Sequence, residues 1–494
     1  MWQCHYMACV VKRLEGCREE IEFMPENYIR RMDSLLERVG QQLVPGMKEL
    51  IDGAPTESFR KASAIKSSPI GGLGYLRLGE DGFLYLMSKS EHYHAPLGHS
   101  FPGYNLIENA KKLGLTNATH NNTRGYITRL LERELVRTVN GLPPDDKHGL
   151  DTILASHESH VLNRVINLET GSLACEAGIK MMLSRFYRLD STFSAPKYEG
   201  RIPVFFVMAD NEGGGKGNYH GTTVIAQTMR DLWPDFYNKM ESAGIIKVCP
   251  VGINNFEDFK EKLEQYDKAP YKVAGFIHEI IMMNYGGIKL EQDFLKQAYE
   301  LCHVNDVPTM CDEIQSCMWY QGMYLFRQYG LKPDFVVIGK GFPGGQYAAS
   351  RIITSYQMDT LNQFGALVTN GQEELAALAY LITMEFAQAN AAYIQESGDY
   401  YKNSLKDMAE RFPKLIDRIE GKGHLSAIFF YEAQKALQFV KMLNEQCIDI
   451  SAQTYKAMCP PAALTKPPII STYKMIDYLI GKMVEVLEKI NGGV

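Results

Sequence analysis

Between about Leu150 and Glu385 short β-rich runs (PVFFVMA, IIKVCPV, VAGFIHEIIM, VPTMCDEI, DFVVIGK, AASRIITS) alternate with stretches of helical period such as Leu173 to Arg188 and Glu291 to Val304. Apolar runs of strand length separated by helix-length segments predict an α/β arrangement, a mostly parallel sheet with helices on both faces. Upstream, Asn27 to Leu43 sets Met32, Leu35, Leu36, Val39 and Leu43 at three- and four-residue spacing, which predicts an amphipathic helix. Gly71 to Leu86 reads as a turn and a short hairpin. After Glu385 the pattern predicts further helices, one short strand near Ala427 to Tyr431, and a last helix with Ile476, Leu479, Ile480, Met483, Leu487 and Ile490 on one face. The break GLPPDDKHG suits neither helix nor strand and marks a boundary. The expected organisation is a helical extension over 1–70, a segment 71–140 contributing to a small domain and a substrate loop, a large domain over 141–385, and a smaller α+β domain completed by 386–494.

Composition narrows the function classes. The 494 residues are 45% hydrophobic and 22% charged with a formal net charge of −6, the balance of a folded protein with no electrostatic footprint for nucleic acid or an anionic membrane. Ten cysteines are scattered without a CxxC pair, so reduced thiols and a cytoplasmic setting are expected, with neither a zinc ribbon nor a disulfide framework. No run of about 20 apolar residues occurs to span a membrane.

In open α/β sheets ligands sit beyond the carboxyl ends of the strands. The polar residues expected there are Glu279, Asp312, Gln315 and Lys340. Lys340 follows the apolar run Phe335 to Ile338 among Gly339, Gly341, Gly344 and Gly345, and taken alone reads as a phosphate ligand, a Schiff-base nucleophile or a solvated strand end. Thr170, Gly171 and Ser172 precede a helix whose free N–H groups suit an anion. Tyr219, His220 and Gly221 put a flat ring beside the same place. A phosphate seat, an aromatic plate, an acid and a lysine are together what pyridoxal 5′-phosphate demands. His92, His94 and His99 in HYHAPLGH lack the accompanying carboxylate spacing of a zinc site, and no metal is expected. NEGGGKGNYHG is not a P-loop, because Gly217 rather than Ser or Thr follows Lys216.

The runs LGHSFP, TGSLACEAGIK, YHGTT, HEI followed by YGGI, CDEIQS and KPDFVVIGKGFPGG, with a late Thr369, resemble in order and wording the class III (ω-amino acid) aminotransferases of fold type I. The resemblance implies a seven-stranded, mostly parallel sheet and a homodimer with shared active sites. It further implies that Lys340 binds the cofactor aldehyde and moves protons, and that Asp312 keeps the pyridine nitrogen protonated. Gly171 and Ser172 hold the phosphate, Tyr219 with His220 beside it stacks on the ring, Gln315 reaches the phenolic oxygen, Glu279 lines the pocket, and Thr369 reaches the neighbouring subunit's phosphate. An amine donor and a carbonyl acceptor are the implied partners. Within the fold an aminomutase, decarboxylase or lyase uses the same lysine and acid, and a cofactor-binding protein without turnover is the other alternative. The chain departs from the family at Leu173, where an acid is usual, at DEIQSCMWYQG, which lacks the family arginine, at the missing proline after Glu279, and at GQEE after Thr369. His92 and Tyr93 fall in the family's substrate loop, and Arg124 and Lys466 are the candidates for seating a carboxylate.

Overall fold

A computed structural model describes residues 20–62, 66–89, 95–117, 123–209, 217–453 and 461–492. By contacts the chain forms two units, one of residues 116–285 and 289–389, the other of residues 1–115, 286–288 and 390–494. The division between 115 and 116 assigns the helix α1 (Tyr126–Val139) to the same unit as the large sheet, ahead of the proline-rich break.

That unit is built on seven strands: β1 (Leu162–Leu168), β2 (Ile202–Met208), β3 (Lys247–Val251), β4 (Tyr271–His278), β5 (Thr309–Asp312), β6 (Phe335–Ile338) and β7 (Ser350–Ser355). Their order is β1-β7-β6-β5-β4-β2-β3. All neighbours are parallel except at β7, which runs antiparallel to both β6 and β1. The helices α2 (Gly171–Leu183) and α3 (Glu374–Ala389) lie on opposite faces. Alternation along β7 shows this, because Ile352 meets α2 at Gly178 while Arg351 lies over the Tyr380 ring of α3. The four residues of β6 are fully buried, and each such side chain contributes about 1.5–3 kcal/mol. A strand so apolar on both faces has no stable position except inside the sheet.

β1 was not among the expected strands. Asn163, Arg164 and Asn167 interrupt its apolar pattern, and the structure gives them work at the sheet edge: Asn163 Nδ2 donates to the carbonyls of Ile153 (2.9 Å) and Ser156 (2.8 Å), and Asn167 Nδ2 donates to Glu132 (2.7 Å).

In the other unit the expected hairpin is a three-stranded meander (Pro69–Leu73, Leu76–Gly79, Leu84–Met87) extended by Ile448–Asp449. The Arg77 fork closes on Asp449 at 2.6 and 2.8 Å within it. The single expected strand near Ala427 is Leu425–Phe430, the second strand of a four-stranded sheet. Its neighbour Ile416–Lys422 escapes notice because an edge strand carrying Asp417, Arg418, Glu420 and Lys422 has little apolar pattern. The helix expected over Asn27 to Leu43 runs from Glu26 to Leu35 and tightens into a 3₁₀ turn at Leu36–Arg38. No helix among the described residues is long and apolar enough to cross a membrane.

Candidate active site

Parallel strands bring their carboxyl ends to one edge, and β5 and β6 are neighbours there. Lys340 stands two residues past β6, half-buried, with φ of +41°. A lysine in the left-handed region costs free energy that its surroundings must over-determine. The flanking glycines supply the constraint rather than looseness: a Cβ on Gly339 would meet Ser350 Oγ at 2.3 Å, and one on Gly341 would meet the Trp319 ring at 2.5 Å.

Asp312 ends β5 and is 4% exposed. Three donors reach its carboxylate. The Ile314 N–H donates to Oδ1 (3.1 Å), while His220 Nδ1 (2.9 Å) and Cys175 Sγ (3.5 Å) both converge on Oδ2. Because a carboxylate only accepts, the proton sits on Nδ1, and His220 Nε2 is left buried with no partner among the described residues. The Cys175, His220 and Asp312 ligand atoms lie within 4.8 Å of one another. Burial, reinforced by the Asp312 charge, pushes the Cys175 thiol well above its ordinary range. The cluster is built to hold protons. The adjacent Glu313 serves elsewhere, accepting from the Phe326 N–H (2.6 Å) and from Ser316, and burial pushes it up to about 7.

The helix α2 starts at Gly171 without a side-chain cap from Thr170, so its first N–H groups remain for an anion. A Cβ at Gly171 would meet Ile314 at 2.4 Å. Gly221 has φ of +122°, and its missing Cβ lets the 219–223 loop lie against Ser172. The Thr222 N–H donates to Ser172 Oγ at 3.1 Å, and their hydroxyls lie 3.3 Å apart. Tyr219 is half-buried, its hydroxyl raised chiefly by burial, and Arg230 lies 5.2 Å over one face of the ring. Glu279, at the end of β4, is buried and accepts from Asn218 Nδ2 at 2.6 Å. Gln315 is buried three residues beyond Asp312.

These residues fit pyridoxal phosphate. An uncapped helix start with a hydroxyl suits its phosphate, a half-buried ring suits its plane, and a buried acid with an open lone pair on Oδ1 suits its ring nitrogen. Cys175 and Asn218 are additions that pattern alone did not single out. Both flank expected residues, Cys175 one helical turn beyond Gly171 and Asn218 next to Tyr219, and adjacency was the only signal for them.

Arg124 is engaged with Glu132, Nε lying 2.9 and 3.0 Å from the two carboxylate oxygens. With Arg129, Arg133 and Arg164 it lines a cavity of about 380 Å³. Lys466 is fully buried in the other unit. Thr369 is exposed in the segment between β7 and α3, and its side chain makes no hydrogen bond among the described residues. His92 and Tyr93 lie outside the described residues.

Known proteins share this fold and much of this sequence order. The ornithine aminotransferase of Emericella nidulans is 25% identical over 333 residues, covering 65% of this chain and 70% of that protein. The acetylornithine aminotransferase of Oceanobacillus iheyensis is 27% identical over 343 residues, 68% and 77% of the two chains. Among solved structures, the ornithine aminotransferase of Toxoplasma gondii superposes with a TM-score of 0.69 at 18% identity, over 89% of this chain and 97% of that one. A transaminase from the marine bacterium Virgibacillus gives 0.70 at 16%, over 93% and 99%. The fold is therefore that of the type I enzymes, and the class III aminotransferase family model matches residues 120–487. This chain belongs to the class III aminotransferases, enzymes of fold type I that move amino groups with pyridoxal 5′-phosphate.

Proposed function

We propose that Lys340 is the residue to which pyridoxal phosphate attaches, that Asp312 faces the ring nitrogen, and that the donor is an amine or ω-amino acid. The observation that carries this reading is the pairing, on adjacent strand ends, of a lysine held at positive φ with a buried carboxylate on which three donors converge. When bound, the cofactor supplies an electron-withdrawing ring that lets the Cα–H of an attached amine leave as a proton. Lys340 Nζ would hold the cofactor aldehyde and, once free, would carry the Cα proton. Asp312 holds the proton on the ring nitrogen. The first-turn N–H groups at Gly171 and Ser172 bind the phosphate, Tyr219 covers the ring with His220 behind it, Gln315 reaches the phenolic oxygen, and Glu279 lines the pocket.

A keto acid or aldehyde is the acceptor that returns the amino group. Relatives named for ornithine, acetylornithine and putrescine, each with a terminal amine or a derivative of one, support the donor class. The working unit in this reading is a homodimer in the cytoplasm. Thr369 is exposed near Phe364, which is 77% exposed, so the segment is accessible to a second copy whose phosphate seat Thr369 would complete. The six described cysteines are free and buried, in keeping with a reducing compartment.

The test is an amine-donor screen read through the cofactor's own absorbance. Terminal amines and ω-amino acids are expected to convert the bound chromophore to its aminated form, and a keto acid or aldehyde to restore it. A chromophore unmoved by every amine would leave a cofactor-binding protein without turnover.

A further inference from the structure

Asp312 is nearly buried and must be ionised to hold a proton on the ring nitrogen, yet its one ion-pair partner among the described residues is His220. A buried charge needs hydrogen bonds in place of water. Among the described residues Oδ1 takes the Ile314 N–H alone, and Oδ2 takes the His220 imidazole. The remaining donor comes from α2, where Cys175 lies four residues after Gly171 and so on the same helix face as the phosphate seat. Its sulfur is fully buried, 3.5 Å from Oδ2. One helix thereby touches both ends of the cofactor site.

We propose that Cys175 is a positioning residue for Asp312, its thiol donating to Oδ2 so that the carboxylate stays ionised with the open lone pair of Oδ1 available to the ring N–H. This rests on the reading of Asp312 given above. Burial keeps the thiol protonated, as a donor requires. A methyl or isopropyl group at this position would fill similar space but give no proton, and a hydroxyl would give one. The competing role for Cys175 is that of a small apolar filler beneath the sheet edge, the usual one for a buried free cysteine.

The experiment uses the cofactor-loaded protein and two spectroscopic readouts. The infrared S–H band of Cys175, assigned by difference against Cys175→Ser, is expected at lower frequency than the other buried thiols, and Asp312→Asn is expected to raise it. With ¹⁵N-labelled pyridoxal phosphate, Cys175→Ala is expected to lower the pH at which the ring nitrogen loses its proton by about one unit, a tenfold shift of the size of one hydrogen bond to a charged group. Cys175→Ser is expected to recover most of that shift. Turnover in Cys175→Ala is expected to fall about three- to tenfold with KM little changed. A Cys175 S–H band at the free-thiol position and indifferent to Asp312→Asn would overturn the proposal, as would an unshifted ring-nitrogen titration in Cys175→Ala. If the alanine variant fails to fold, the infrared comparison still decides. Failure of the broader reading looks different: the unmutated protein would show no covalently held cofactor, whereas failure here leaves cofactor and turnover intact.

Discussion

The large sheet carries a histidine–aspartate pair at each of its two edges, and the two pairs are alike in distance and unlike in everything around them. At the carboxyl edge His220 Nδ1 lies 2.9 Å from Asp312, and at the opposite edge His160 Nδ1 lies 2.9 Å from Asp334. Asp334 stands just before β6 and spends its second oxygen on the start of β5, accepting from the Thr309 N–H (2.8 Å) and hydroxyl (3.3 Å), while its own N–H donates to the Thr309 carbonyl (3.0 Å). It is a clasp between two strands. Among the described residues the Asp312 carboxylate takes no donor from a neighbouring strand. One of its oxygens is crowded by an imidazole and a thiol, the other keeps an open lone pair among the described residues, and so does the buried Nε2 of the partner histidine. Both histidines leave a buried nitrogen without a hydrogen bond among the described residues, Nε2 on His220 and Nδ1 on His160, so the two edges differ in what the acid fastens: Asp334 ties β5 to β6, and Asp312 keeps a lone pair for a ligand.

The sharpest break in that symmetry is covalent, because the lysine proposed to take the cofactor, Lys340, is held at positive φ on the carboxyl edge. Lys340→Ala is expected to fold, to lose borohydride-reducible attachment of the cofactor, and to lose turnover by orders of magnitude. Mass spectrometry of the reduced, unmutated protein checks it, and cofactor found on another lysine would overturn the assignment.

Exchanging each acid for its amide separates the edges directly. Asp312→Asn is expected to keep the cofactor and slow turnover by at least about 10²-fold, since a neutral amide does not hold the ring nitrogen protonated. Asp334→Asn is expected to leave turnover per folded molecule near normal and to lower stability by about 1–3 kcal/mol, the cost of disturbing buried hydrogen bonds. Paired steady-state kinetics and urea unfolding read both. The same loss of turnover in both variants would mean that the two edges are not functionally distinct.

How much of this was legible in the chain follows the same division. The strands of the sheet interior announced themselves because they are buried on both faces, and Lys340 and Asp312 followed as the polar residues at their ends. Edge strands such as Leu162–Leu168 did not, because their asparagines are spent on loops and helices rather than on a pattern. Cys175 reaches Asp312 across 137 positions and Asn218 reaches Glu279 across 61, contacts that exist only after the fold has formed. Thr369 was legible only through the family resemblance, since its expected partner belongs to another chain.

Thr369 asks whether the carboxyl edge is complete in one chain. Losing one hydrogen bond to a charged phosphate costs about 1.5–3 kcal/mol, so Thr369→Val is expected to weaken cofactor retention about ten- to a hundredfold without unfolding the protein. Dilution is expected to do the same, because cofactor binding and dimerisation are then linked. A sedimenting monomer with full cofactor occupancy would remove both the shared site and the residue's role.

The smallest expected effect belongs to the clasp and is a matter of pH. His160 stacks on His303 with ring centroids 3.9 Å apart, is 25% exposed, and is out of line for a good hydrogen bond to Asp334 despite the short distance. The Asp334 contact raises the His160 pKa, against burial and Lys332, with Asp306 assisting. His303, whose Nε2–H donates to the Lys332 carbonyl at 3.1 Å, is lowered by burial and by His160. A histidine whose folded pKa is raised contributes stability that is fully present below its unfolded value, about 6.5, and is lost as pH rises through the folded value. The stability lost on His160→Gln is therefore expected to be largest near pH 6, about 0.5 kcal/mol for a partly exposed pair, and to fade on the alkaline side. Taking the difference between the two proteins removes the opposing acid-side loss from His278 and His424, held near 3 and 4 by burial and common to both. Urea unfolding of both proteins across this range reads the difference, and one that stays constant with pH would mean that Asp334 holds His160 by packing rather than by charge.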